Sequence, residues 1–197
     1  MIGAERVALV LLAAGLSTRF GAEDKLAAPL NGLPLGLHAA RTVAAIPFAA
    51  RIAVTGARPL AFTSYGFTTV ENDDPAAGQG RSIALGVQAA RRADVDAVLV
   101  MLADMPFVTA GHVRALFDGF DGNHAVVAST TGDWSGPPAL FGAVHFDLLA
   151  QLSGDHGPRT LIKAADLVAA LPAELADIDT RQDLQAAYAD LVRSRPS

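Results

Sequence analysis

Two short stretches of this chain concentrate residue types that handle anions. The first is Leu12-Ala13-Ala14-Gly15-Leu16-Ser17-Thr18-Arg19-Phe20-Gly21, where an apolar run from Val7 to Leu12 passes through small residues into a polar loop ending near Lys25. Small residues let a ligand approach the backbone, and successive N–H groups in a turn form a concave anion nest. Arg19 and Lys25 add two positive charges, which Glu23 and Asp24 formally cancel. Anion affinity must therefore come from geometry and backbone, not from a net basic loop. The same residues also suit a tight strand-to-helix turn with two solvated cations, and both readings stand at this level. The loop carries neither G-x-x-x-x-G-K-[ST] nor G-x-G-x-x-G, so the P-loop and the usual dinucleotide fingerprint are excluded there.

The second stretch, Glu71 to Ser82, is polar and Gly-rich and opens onto a helix. The first-turn N–H groups of a helix lack intrahelical partners, so such a loop is either an anion or polar-ligand site or a plain turn. Asp104 follows the apolar run Ala97–Leu102 in Ala103-Asp104-Met105-Pro106. A carboxylate at the carboxyl end of a buried parallel strand lies where open α/β sheets bind ligands; the alternative is a turn or helix cap before Pro106. Five histidines lie far apart without the i,i+4 spacing of a zinc site and read as surface or helix residues. Trp134 reads as a loop anchor, with an acceptor-site contact as the other option.

The elements that position these residues alternate. Strands are expected at Val7–Leu12, Arg51–Thr55, Phe67–Val70, Ala97–Leu102, His124–Ser129 and Leu167–Leu171, with an extended segment at Ser135–Phe141. Helices are expected at Leu35–Ile46 (stopped by Pro47), Gly80–Arg92, after Thr109, Val144–Leu152, Arg159–Ala165 with Pro158 in its first turn, and after Thr180. Strands and helices thus alternate along the chain.

Composition bounds the function. The 197 residues suffice for one domain with a sizeable core, and 51% are hydrophobic. A net charge of -5 argues against general nucleic-acid binding. With no Cys, disulfides and thiolate metal sites are excluded, in agreement with a cytoplasmic protein. The N-terminal apolar run is too short for a signal peptide or a membrane span, and no membrane partner is expected.

The first loop together with Lys25 resembles the signature L-A-A-G-x-S-x-R-x-G-x-x-K of nucleotidyltransferases of the molybdenum-cofactor type, with the cytidylyltransferases nearest. The three-residue spacer Ala22-Glu23-Asp24 is at the long end for that signature. Three further pieces follow in the family's order: Asp104-Met105-Pro106; Gly154-Asp155-His156-Gly157-Pro158-Arg159, with Pro158 where Ala is usual; and Asp177-Ile178-Asp179-Thr180, with Arg181 and Gln182 in place of Pro and Glu.

The resemblance implies an α/β, Rossmann-like three-layer fold with a mostly parallel central sheet in one domain spanning 1–197, and transfer of CMP from CTP to the phosphate of molybdenum-molybdopterin, with release of pyrophosphate. Arg19 and Lys25 would be catalytic, stabilising the triphosphate and the leaving group. Leu12, Ala13, Ala14, Gly15 and Ser17 would bind the nucleotide with Lys25. Asn72, Gly80 and Ser82 would lie near base and ribose. Asp104 and Asp179 would hold Mg²⁺. Arg159 would pair with a substrate phosphate, and Asp155 would order that loop. Ala14, where guanylyltransferases tend to have Gly, favours CTP. Partners implied are the triphosphate, the molybdopterin-type acceptor and, transiently, a molybdoenzyme or its chaperone. The alternatives are a same-fold transferase using GTP or another phosphate acceptor, and a non-catalytic nucleotide-binding accessory protein. A Rossmann oxidoreductase is disfavoured by the missing fingerprint.

Overall fold

The computed structural model describes residues 1–21, 23–57, 59–122, 124–154 and 157–193. Strands β1 (Val7–Ala13), β2 (Pro29–Leu30), β3 (Leu33–Pro34), β4 (Ala50–Thr55), β5 (Thr68–Glu71), β6 (Ala97–Leu102), β7 (Val126–Thr130), β8 (Ser135–Gly142) and β9 (Asp166–Ala169) alternate with helices. The helices are α1 (Leu37–Thr42), α2 (Gln79–Ala90), α3 (Ala110–Asp118), α4 (Phe146–Leu149), α5 (Arg159–Lys163) and α6 (Arg181–Arg193). Seven strands form one sheet in the order β5-β4-β1-β6-β8-β7-β9. Only β8 runs against its neighbours, pairing antiparallel with both β6 and β7. The mostly parallel α/β architecture implied by the family resemblance is therefore observed.

β1 is the middle of the core because its apolar run has no polar face. Val7, Leu9 and Leu11 pack with α1 and α3, whereas Ala8, Val10 and Leu12 pack with α2, α4 and α5. A strand buried on both faces needs helices above and below, which produces the three layers. Gly86 permits close contact on one side: a Cβ there would lie 2.3 Å from Val10 Cγ1.

Boundaries differ where tertiary bonds compete with periodicity. The expected helix from Leu35 to Ile46 is shortened to α1. Leu35 N donates to Ala28 O and Gly36 N to Leu26 O, tying its start to the turn that precedes β2. The expected Val144–Leu152 helix is a 3₁₀ turn, Ala143–His145, followed by α4. Pro158 is the cap of α5 and not its first residue. Among the described residues no helix is long and apolar enough to cross a membrane.

Candidate active site

The chain leaves β1 toward β4 on one side and later returns to place β6 on the other. That reversal opens a crevice at the carboxyl ends of β1 and β6, the usual ligand position in such sheets. Ala103 N donates to Leu12 O at 3.0 Å, keeping the two strand ends together, and Ile178 N donates to Asp104 O at 2.9 Å, bringing in the segment that carries Asp179.

A cleft of about 320 Å³ lies at this junction. One wall is the first loop, from Ala14 to Arg19, with Leu12 and Lys25; another is the start of α2, with Gly78, Gln79 and Ser82; Asp104 and Asp179 close it. Most of the residues expected at the nucleotide site thus meet in one place, although they come from sequence positions far apart.

The loop is held by its own bonds. Ser17 sits in the left-handed region at φ 54°, a conformation costly for a non-glycine residue and often found at functional sites. Its hydroxyl accepts from Lys25 N at 3.2 Å, and its carbonyl accepts from Phe20 N at 2.9 Å. Asp24 accepts from Leu26 N at 3.0 Å, starting the turn that carries Lys25 inward. Glu23 pairs with Arg181 at 3.0 Å, and the Arg181 guanidinium lies 5.4 Å from the Phe20 ring centroid. The two loop acids therefore shape the loop, and the first residue of α6 tethers it.

At the centre, Lys25 Nζ donates to Asp104 Oδ2 and to Asp179 Oδ1, each at 2.7 Å. Arg19 Nη1 lies 2.7 Å from Asp179 Oδ2. Burial disfavours the Lys25 charge, but the two carboxylates outweigh it and raise the ammonium above the ordinary lysine pKa. Asp104 Oδ1 is buried and makes no hydrogen bond. This orphaned oxygen and the hard carboxylate chemistry of the pair fit a divalent cation. Among the described residues no group of three or more His, Asp or Glu is arranged to hold a metal. Two carboxylates suit Mg²⁺, which keeps waters and takes substrate phosphates as its remaining ligands.

Other expected residues lie outside the cleft lining. Ala13 ends β1 behind it. Asn72 is buried under α2, where its amide donates to Ser82 Oγ at 2.9 Å and its Oδ1 accepts from Asp74 N and Arg81 Nε, both at 3.0 Å. Gly80 packs against another loop, its N–H donating to Gly154 O at 2.9 Å, and a Cβ there would meet the Ser153–Gly154 backbone at 2.9 Å. Arg159 is exposed at the start of α5 and is not part of the lining. Asp155 lies outside the described residues.

Gln79 was not singled out from sequence, although its position between Gly78 and Gly80 at the helix start marks it as a lining residue. A second cavity of about 280 Å³ shares Leu102 with the cleft and is bordered by Met105, Thr131, Trp134, Leu175 and Asp177. Burial, then the neighbouring Asp179 and Asp104, push the Asp177 carboxyl above the usual carboxylate range. Of the histidines, His38 on α1 and His112 on α3 are buried, bonded to Leu30 O and Ser129 Oγ, whereas His124 is exposed and His156 lies outside the described residues.

The sequence profile of the MobA-like NTP transferase domain matches residues 9–170. The chain belongs to this family. It is 30% identical over 191 residues to the purine catabolism protein PucB of Bacillus subtilis (strain 168), an alignment that covers 88% of this chain and 92% of that one. A nucleotidyl transferase from Methanothermobacter superposes with a TM-score of 0.78 at 25% identity, covering 96% of this chain and 99% of that one. A Mycobacterium tuberculosis H37Rv structure described as a complex with manganese superposes with a TM-score of 0.73 at 24% identity, covering 96% and 100%.

Proposed function

We propose that this chain, acting as a single domain over 1–197, is a cytoplasmic Mg²⁺-dependent cytidylyltransferase. It would transfer CMP from CTP to the phosphate of molybdenum-molybdopterin and release pyrophosphate. The observation that carries this reading is the array of Lys25, Asp104 and Asp179, closed at 2.7 Å contacts beneath a loop of small residues.

The acceptor phosphate oxygen forms a bond to the α-phosphorus of CTP while the bond to the bridging oxygen of pyrophosphate breaks. An ionised phosphate monoester needs no general base, in keeping with a cleft lining that holds no histidine among the described residues. Arg19 and Lys25 stabilise negative charge on the triphosphate and the leaving group. Asp104 and Asp179 would hold Mg²⁺, which when bound neutralises phosphate charge and orients the reacting oxygens; the manganese bound by the Mycobacterium structure supports a divalent cation here. Asn72 orients the Ser82 hydroxyl at the cleft wall.

Two features support the finer substrate assignment. Ala14 lines the cleft, where its methyl takes space that a glycine would leave to a larger base. The second cavity, with Trp134 and Asp177, adjoins the cleft at Leu102 and suits a bulky acceptor whose phosphate reaches past Asp104. Transient contact with a molybdoenzyme or its chaperone would deliver the product.

The test is a thermal-shift panel of CTP, GTP, ATP and UTP with and without Mg²⁺, since a ligand that binds only the folded state raises its midpoint. A selective, Mg²⁺-dependent shift with CTP supports the assignment. A selective shift with GTP replaces it with a guanylyltransferase, and no shift with any nucleotide removes it.

A further inference from the structure

The two carboxylates that fit a divalent cation are already engaged. Three of their four oxygens face a side-chain cation: Asp104 Oδ2 and Asp179 Oδ1 face Lys25, and Asp179 Oδ2 faces Arg19, each at 2.7 Å. The fourth, Asp104 Oδ1, is buried without a partner. The two cations differ in setting. The Arg19 side chain is 74% exposed and reaches in from solvent, whereas that of Lys25 is 9% exposed and fills the space between the carboxylates.

The Lys25 ammonium, 2.7 Å from both oxygens, engages carboxylate oxygens that a cation held by this pair would need. The pairing is also balanced, with two positive and two negative side chains. Adding a divalent cation while both side-chain cations remain would leave excess positive charge in a largely buried site, where screening by water is weak. The ammonium has somewhere to go, because Lys25 shares the cleft with Ser17 and Thr18 of the small-residue loop.

We propose that Lys25 is a resident counter-ion of the Asp104–Asp179 pair, and that a divalent cation binds the pair by displacing it. In the ligand-free protein the ammonium keeps the two carboxylates together and bridges three remote segments. Under the nucleotidyltransferase reading, on which this consequence rests, the incoming triphosphate accepts the released ammonium. Metal and nucleotide then load together, and the free enzyme holds metal weakly.

The exchange is testable without nucleotide, by titrating Mn²⁺ into the protein and following the free aquo-ion by electron paramagnetic resonance. Lys25→Met and Lys25→Gln should bind one Mn²⁺ at least about tenfold more tightly than wild type, or ~1.4 kcal/mol. Adding Asp104→Asn to Lys25→Met should abolish the gain. Equal Mn²⁺ affinity in wild type and in folded Lys25 variants overturns the proposal.

A measurement on the wild-type protein guards against variants that fail to fold. Acetylation of Lys25 by acetic anhydride, read by mass spectrometry, should be slow in the free protein and faster in a large excess of Mn²⁺. An unchanged rate at saturating Mn²⁺ also overturns it. Because neither experiment contains a nucleotide, failure of the thermal-shift panel would count against the proposed activity and not against the exchange.

Discussion

The side-chain amide of Asn72, 1% exposed, donates to the hydroxyl of Ser82 in the cleft lining at 2.9 Å. Its Oδ1 also accepts from Asp74 N and Arg81 Nε, so one buried side chain fixes both the loop and the start of α2. Asn72→Ala should cost about 1–3 kcal/mol in denaturant unfolding, because it strands buried polar groups. It should also raise KM for the nucleotide with little change in kcat, since Ser82 loses its orientation. Ser82→Ala should weaken nucleotide binding at a smaller stability cost. Unaltered stability and KM in Asn72→Ala would remove the positioning role.

Two glycines of α2 separate packing from site geometry. At Gly86 a Cβ would lie 2.3 Å from Val10 Cγ1 and 3.1 Å from Val54 Cγ2, so Gly86→Ala should destabilise the protein by about 1–3 kcal/mol through overpacking on the sheet. At Gly80 the obstacle is the Ser153–Gly154 backbone, in a loop also tied back by the bond from Gly154 N to Ala77 O at 3.0 Å. Gly80→Ala must move one backbone segment against the other and should lower nucleotide affinity as well as stability. Calorimetric melts with and without nucleotide distinguish the two; equal nucleotide shifts in both variants would refute the distinction.

Much of this was legible because the relevant physics is local. The apolar run of β6 gives its bounds, Ala97–Leu102, directly. Thr109 caps α3, accepting from His112 N at 3.0 Å, and Thr180 and Asp183 cap α6 reciprocally. Small residues and cations around Gly15 mark the cleft. What was hidden depends on residues far apart in sequence. The family resemblance puts Asn72 near base and ribose, and in the structure Ser82, Asp74 and Arg81 engage it and bury it. The start of α1 is set by bonds to Leu26 and Ala28, not by its own periodicity. Nothing local tells that Glu23 and Arg181 meet, or that Lys25 would find both carboxylates.

Stability should fall as pH drops below 6.5, with His38 and His112 responsible. Burial lowers both below the ordinary histidine value of 6.5. Between the lowered folded pKa and 6.5 the unfolded chain binds a proton that the folded chain does not, so stability present above 6.5 is lost as pH falls through that window. His38→Gln and His112→Gln retain an N–H donor without titrating and should flatten the slope of unfolding free energy against pH. Curves that remain parallel to wild type would refute the assignment.

Base preference should depend on Ala14, which is 7% exposed in the cleft floor. Ala14→Gly should shift the ratio of kcat/KM for CTP and GTP toward GTP by about 10-fold, the scale of a buried methyl in a binding pocket. Gly15, where a Cβ would meet nothing within 4 Å, supplies the control: Gly15→Ala should leave neighbouring packing intact. An unchanged ratio in Ala14→Gly would leave base choice to other residues.

The contact between Glu23 and Arg181 should matter more for the site than for stability. Both side chains are more than half exposed, at 70% and 58%, and such pairs contribute about 0–1 kcal/mol. Arg181 also lies over Phe20, which is 2% exposed and packs with Ile178 and Ala187. The guanidinium therefore joins the tip of the anion loop to α6, the helix just after Asp179. Arg181→Ala should raise the nucleotide KM several-fold, leave kcat nearly unchanged and alter the melting midpoint little, because it loosens the loop without removing a group from the cleft. Salt should mimic part of the effect in wild type, since a Debye length of about 8 Å at physiological ionic strength screens exposed pairs. A double-mutant cycle with Glu23→Ala on nucleotide affinity isolates the pair. Additive effects would show that Arg181 acts through Phe20 alone, and no effect of either substitution on KM would sever α6 from control of the loop.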